Sequence, residues 1–201
     1  MTRDNPAANA MRVDSATSAA TNTAPSAAPS AAPGAAPGAT LQGLAPVVDA
    51  GTRLIVLGSF PGVASLRAQQ YYGHPRNHFW PILGAVWGLD LATAPYAARL
   101  EAARAHGLGL WDVYARCERI GSLDSAIERA QLNDLASLRL WAPALLAVAH
   151  NGGESARSMA HTRALGLPVH RLPSTSPANA SWSFARKLAA WREVFEQHGV
   201  A

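Results

Sequence analysis

Residues Tyr71 to Pro81, YYGHPRNHFWP, gather two tyrosines, two histidines, an arginine, an asparagine and two further aromatics into eleven positions. So many hydrogen-bonding and flat side chains in one short stretch pose a choice for Asn77 between capping a helix and doing chemistry. If Asn77 were the N-cap, Pro81 would stand at the fourth helical position, where its missing N–H removes the first intrahelical hydrogen bond. A helix that starts slightly later places Pro81 harmlessly in the first turn and leaves the Asn77 carboxamide free to point into a cleft.

Two other stretches offer ligand contacts. In GSFPG (58–62), Gly58, Ser59 and the following Pro and Gly permit close backbone approach to a ligand, and the free amides of VASL after it could face an anion or a base edge. A plain strand-to-helix turn is the alternative. In LPSTSPANAS (172–181), the hydroxyls of Ser174, Thr175 and Ser176 are locked between Pro173 and Pro177. They suit phosphate contact or entry into a groove; a capped helix start before SWSFARKL is the other reading, and both can hold because a cap needs one hydroxyl.

These loops need elements to position them. RLIVL (53–57), LGLWDV (108–113), ALLAVA (144–149) and PVHRL (168–172) are short apolar runs that read as buried strands. Between them lie helical patterns: Phe79, Ile82, Leu83, Val86 and Trp87 share one stripe; APYAARLEAARAHG closes on Gly107; LNDLASLRLW opens with capping-type residues. Residues 153–166 and a final stripe of Phe184, Leu188, Trp191 and Phe195 complete the set. Alternation of strand and helix predicts an α/β fold with a mostly parallel sheet covered on both faces, whose functional loops lie beyond the carboxyl ends of the strands. Those loops are GSFPGVAS, DVYARCERIGSLDS, HNGGES and LPSTSPANAS.

Composition divides the chain. Residues 1–45 are dominated by Ala, Pro, Ser, Thr and Asn, cannot bury enough surface to offset ordering entropy, and read as a disordered tail; residues 46–201 hold the single domain. The tail's Arg3, Arg12, Asp4 and Asp14 cancel, so the formal +4 belongs to the domain, whose only lysine is Lys187. An Arg-rich basic domain favours phosphate-bearing partners. With Cys117 as the lone cysteine, disulfides and thiolate metal clusters within one chain are excluded. No apolar run reaches the length of a membrane span, and a cytoplasmic, nucleoid-associated monomer is expected.

The strings GSFPG, QYYGHPRNHFW, GLWDV with GSLDSAI after it, and LPSTSPANAS resemble the motifs of the hypoxanthine-DNA glycosylases, a branch of the uracil-DNA glycosylase superfamily. The resemblance runs from about Arg53 to Phe195, with the motifs in order at strand ends. It implies a three-layer α/β/α sandwich around a central four-stranded, mostly parallel sheet, with no metal and no cofactor. The implied activity is hydrolysis of the N-glycosidic bond of a deaminated base, chiefly hypoxanthine (deoxyinosine), in double-stranded DNA during base excision repair. Such a pocket takes an extruded base, gripped by stacking and by its hydrogen-bonding edge.

Departures from the superfamily pattern carry information. Where other branches have Asp, Glu or Asn in the first motif to handle water, this chain has Phe60, and where many have His or Asn before the Pro-Ser of the last motif it has Leu172. The resemblance assigns catalysis to the asparagine of HPRN, which is Asn77. A carboxamide is too weak a base to deprotonate water, but it can orient one beside C1′ as positive charge develops on the sugar. Tyr72 corresponds to the aromatic that stacks on the flipped base, with Phe60 as the opposite wall or as core. Asp112 aligns with the residue that reads the base edge. Hypoxanthine has a hydrogen on N1 where adenine has a lone pair, so a carboxylate would favour the lesion; capping the next turn or pairing with Arg116 are the alternatives.

His74 either touches a DNA phosphate or fixes the loop around Asn77, and Asn151 either caps its helix or touches the DNA backbone; the structural role is preferred for both. Lys187 is placed in the C-terminal helix, away from every motif loop. A strand-cleaving Schiff base needs a cleft amine, so a monofunctional enzyme that leaves an abasic site is expected. Competing readings are a uracil or thymine mismatch glycosylase, against which Phe60 argues, and a lesion-DNA-binding protein that lost the chemistry, against which the complete HPRNHFW string argues.

Overall fold

The structure, a computed structural model, describes residues 39–201. Strand β2 (Leu54–Gly58) is buried along its whole length because it is apolar on both faces. Its side chains alternate, as strand geometry requires: Leu54 and Val56 join one core cluster, Ile55 and Leu57 the other. With β3 (Leu108–Asp112), β6 (Ala147–Asn151) and β7 (Val169–Leu172) it forms a four-stranded sheet of order β3-β2-β6-β7, parallel throughout. On the first face pack α2 (Phe79–Trp87), α3 (Tyr96–Ala105) and α7 (Phe184–Gln197), which bring Phe79, Ile82, Leu83, Trp191 and Phe195 to the core. On the second face, α4 (Leu138–Trp141) and the segment before it supply Leu135 and Leu138 against Trp111 and Val148. These are the three layers expected.

The parallel strands fall within a few residues of the apolar runs that announce them. Helix α2 starts at Phe79, which puts Pro81 in the first turn, as argued from its missing N–H. The segment 153–166 divides into two short helices, α5 (Gly153–Ala156) and α6 (Met159–Arg163). His150, fully buried at the end of β6, ties both helices to the sheet: Nδ1 lies 2.8 Å from Ser155 Oγ and Nε2 2.9 Å from Thr162 Oγ1, while the Ser155 hydroxyl donates to the Leu57 carbonyl.

A second sheet departs from expectation. β1 (Thr40–Gln42), β4 (Tyr114–Glu118) and β5 (Glu128–Leu132) form an antiparallel sheet of order β1-β4-β5. DVYARCERIGSLDS, read as one long loop, therefore contains a strand. Every residue of β5 is exposed, so the pairing rests on backbone hydrogen bonds and leaves no apolar alternation in the sequence. The composition-based tail boundary is also too late. Residues 40–45 lie against the domain: β1 pairs with β4, and the Tyr71 hydroxyl sits 3.3 Å from the Leu44 carbonyl and 3.1 Å from that of Ala45. The remainder of the expected disordered tail, residues 1–38, lies outside the described residues. Among the described residues, no helix is long and apolar enough to cross a membrane.

Candidate active site

The carboxyl ends of β2, β3, β6 and β7 open into a cleft of about 680 Å³, lined by the GSFPG loop, the tyrosines, Asn77, Asp112, Asn151 and the last motif. Gly58 belongs to its floor for a reason other than ligand approach. A Cβ there would overlap Asp112 Oδ1, so glycine is what lets the Asp112 carboxyl fold across the end of β2.

Asp112 is 4 % exposed, and its Oδ2 is buried without any hydrogen-bond partner. Burial pushes the carboxyl up to about 7, against an opposing pull from the Arg119 cation. Neither dull alternative for Asp112 holds: Arg116 donates instead to Gln131 Oε1 at 2.7 Å, and it is the Asp112 backbone carbonyl that receives the Asn133 amide. An unpaired buried carboxyl costs stability and awaits a donor.

Asn77 both caps and lines the cleft. Its Oδ1 accepts the Phe79 N–H at 2.9 Å, an Asx turn that starts α2, so the carboxamide is not wholly free as the position of Pro81 implied. The cap-type bond forms from one residue earlier than a true N-cap, which reconciles it with Pro81. His74 fixes the same turn: its Nδ1 accepts the Arg76 N–H at 3.1 Å and its carbonyl accepts the Asn77 N–H at 2.9 Å.

Tyr72 stacks one ring face on Phe79, with centroids 3.7 Å apart and planes 18° from parallel, and the residue lines the cleft. It is held at φ +55°, a left-handed conformation that a side chain with Cβ adopts at a cost. Its hydroxyl is buried and unpartnered, and burial together with the nearby Asp112 holds the phenol neutral, well above its ordinary range. Phe60 is 5 % exposed and also lines the cleft, with the Arg119 guanidinium over its ring at 5.1 Å. Arg119 is itself buried, donates to the Pro61 carbonyl, and keeps Nε and Nη1 without partners. Ser59 donates its hydroxyl to Asp124 Oδ1 at 2.7 Å rather than facing a ligand.

The last motif is largely self-satisfied. Thr175, expected to contact DNA, is fully buried: its N–H donates to Asn151 Oδ1 and its Oγ1 accepts from Asn151 Nδ2, both at 2.9 Å, while its carbonyl accepts the His78 N–H. Asn151 therefore neither caps its helix nor reaches DNA; it staples β6 to this loop. Ser174 and Ser176 line the cleft and are partly exposed, each accepting a backbone amide two residues on. The cap of α7 comes from none of the three hydroxyls but from Ser183, which accepts the Arg186 N–H.

Lys187 also departs from expectation. It is 1 % exposed, and its Nζ donates to the Asn179 carbonyl at 2.9 Å, holding the last motif loop from beneath. Asn179 lines the cleft. The reading from sequence missed Arg119, Ser122, Asp124 and Trp182, of which the last three line the cleft. Only the GSLDSAI string pointed at Ser122 and Asp124, and nothing in the spacing marked Arg119 as buried. Among the described residues, no group of three or more His, Cys, Asp or Glu could hold a metal ion.

A cleft of this size at the carboxyl end of a parallel sheet, walled by aromatic faces and floored by unpaired polar atoms, defines an α/β protein built to hold a flat, polar heterocycle. Comparison with known proteins makes the class specific. The family described as the uracil DNA glycosylase superfamily matches residues 45–196. A hypoxanthine DNA glycosylase of Methanosarcina barkeri is 40 % identical over 156 residues, 78 % of this chain and 98 % of that protein. A second, from Methanosarcina acetivorans, is 36 % identical over 154 residues, 77 % and 97 % of the two chains. A solution NMR structure from Methanosarcina acetivorans, described only provisionally as a uracil DNA glycosylase, superposes with a TM-score of 0.72 at 34 % identity, covering 79 % of this chain and 98 % of that one. The chain belongs to the uracil DNA glycosylase superfamily.

Proposed function

We propose that the protein is a monofunctional, monomeric DNA glycosylase that releases hypoxanthine from deoxyinosine in double-stranded DNA, with Asn77 guiding water and Asp112 reading the base. The observation that carries this reading is a buried carboxyl with no protein partner on the same cleft as a carboxamide pinned at a helix start. The two relatives named hypoxanthine DNA glycosylases match over nearly their whole length, which supports that substrate.

An extruded nucleotide brings its base onto the free face of Tyr72, whose other face is backed by Phe79. The Asp112 carboxylate accepts the N1–H of hypoxanthine; adenine, with a lone pair at N1, would leave it unpaired and repelled. Asn77 Oδ1 has a lone pair left after the Phe79 amide is satisfied, and holds a water by one of its hydrogens so that the oxygen faces C1′. The C1′–N9 bond breaks with its electrons on the purine, the water oxygen bonds to C1′, and the proton it sheds passes through solvent to the released base. Positioning and electrostatics of this kind suffice for an oxocarbenium-like transition state. The Lys187 amine is committed to the Asn179 carbonyl, which supports hydrolysis without a Schiff base.

Duplexes carrying deoxyinosine, deoxyuridine or deoxyxanthosine, incubated with the protein and then treated with alkali, test the proposal. Cleavage at deoxyinosine that appears only after alkali, and faster than at deoxyuridine, is the expected result. Faster release of uracil, or no release of any base, would replace it.

A further inference from the structure

The turn between β4 and β5 carries two large apolar side chains that nothing covers: Ile120 is 69 % and Leu123 59 % exposed. This turn is not loosely hung. Arg119 donates to the Pro61 carbonyl and lies over the Phe60 ring, Ser122 Oγ accepts the Val63 N–H at 3.0 Å, and Asp124 Oδ1 accepts the Ser59 hydroxyl. All three ties run to the GSFPG loop and the residue after it, and Leu123 itself lines the cleft. Gly121, at φ +76°, makes the bend that presents Ile120 and Leu123 beside each other.

The exposed tip, Ile-Gly-Ser-Leu, has no charge, so phosphates are not its natural partner. An uncharged apolar projection fixed to the wall of a base pocket fits the stacked interior of a duplex, where apolar side chains wedge between bases. Resting on the glycosylase reading above, we infer that the Ile120–Leu123 tip enters the lesion duplex next to the extruded nucleotide and stabilises the open stack. A single strand has no stack to hold open and does not need it.

The test compares wild type with an Ile120→Ser, Leu123→Ser double variant whose thermal unfolding is measured alongside. Single-turnover release of hypoxanthine should fall about tenfold or more on duplex and change by less than about twofold on the same strand unpaired. Equal losses on both substrates, or no loss on duplex, would overturn the inference. A second readout is independent of chemistry: fluorescence of 2-aminopurine placed beside deoxyinosine, followed on binding in an Asn77→Ala background. The fluorescence should rise with the intact tip and not with the altered one. If it does so while wild type releases no base, the tip assignment stands and the glycosylase reading falls. If it rises equally with both, the tip assignment falls and the glycosylase reading is untouched. A wild-type dimer in sedimentation that the double variant dissolves would reassign the tip to self-association and overturn its duplex role.

Discussion

Asn77 Oδ1 has two lone pairs, and the Phe79 N–H occupies one of them. Substitution therefore has a structural cost separable from its chemical one. Asn77→Ala should lose about 0.5–2 kcal/mol of stability with the lost cap-type bond, whereas Asn77→Asp, which keeps the acceptor, should lose less; denaturant unfolding of both variants measures this. Asp112 shows the converse, a group whose useful form is costly to the fold. Its carboxyl is raised from 3.8 to about 7, so the folded state binds its proton more tightly than the unfolded state does. Its contribution to stability is full below about pH 4 and is lost as pH rises through about 7, with a slope of at most about 1.4 kcal/mol per pH unit. Activity should run the other way, because the carboxylate is the form that accepts N1–H: kcat/KM on deoxyinosine should rise through pH near 7. Asp112→Asn should remove that inflection and reduce the fall in stability, part of which Asp124, also raised by burial, would still supply.

The last motif loop is placed by groups from two other elements, Asn151 at the end of β6 and Lys187 in α7. Asn151→Ala leaves the buried Thr175 amide without its acceptor and should cost about 1–3 kcal/mol in unfolding experiments, with slower base release as the loop loosens. The parallel strands were legible because each is apolar enough to be buried on a sheet face, and α2 because its stripe and Pro81 agree on the start. The hairpin of β4 and β5 was not, since its pairing leaves no apolar alternation to read. The hydroxyls of Ser174, Thr175 and Ser176 look equivalent in sequence, yet only the fold brings Asn151 to the middle one. Likewise the burial of Lys187 depends on the carbonyl of Asn179 returning over α7, a tertiary contact that no local pattern encodes.

Over the whole molecule, Tyr71 joins the chain that precedes the first parallel strand to the wall of the cleft, through the carbonyls of Leu44 and Ala45. A chain beginning at Ala39 should therefore match the full-length protein in melting temperature and in release of hypoxanthine. One beginning at Pro46 loses β1 and both carbonyls, and should melt several degrees lower. The cleft itself was legible as a set of loops, but its working parts were not. Arg119, Ser122 and Asp124 reach it only through the turn between β4 and β5, and Asp112 becomes distinctive only once Gly58 is seen to make room for it.

The central claim is that the Asn77 carboxamide acts in the chemical step. Single-turnover release of hypoxanthine from a deoxyinosine duplex, measured for wild type and Asn77→Ala beside their affinities for the same duplex, tests it most directly. Loss of one such contact should slow release by about 10²-fold or more with affinity little changed. Release by Asn77→Ala at the wild-type rate, or a loss confined to binding, would contradict the account.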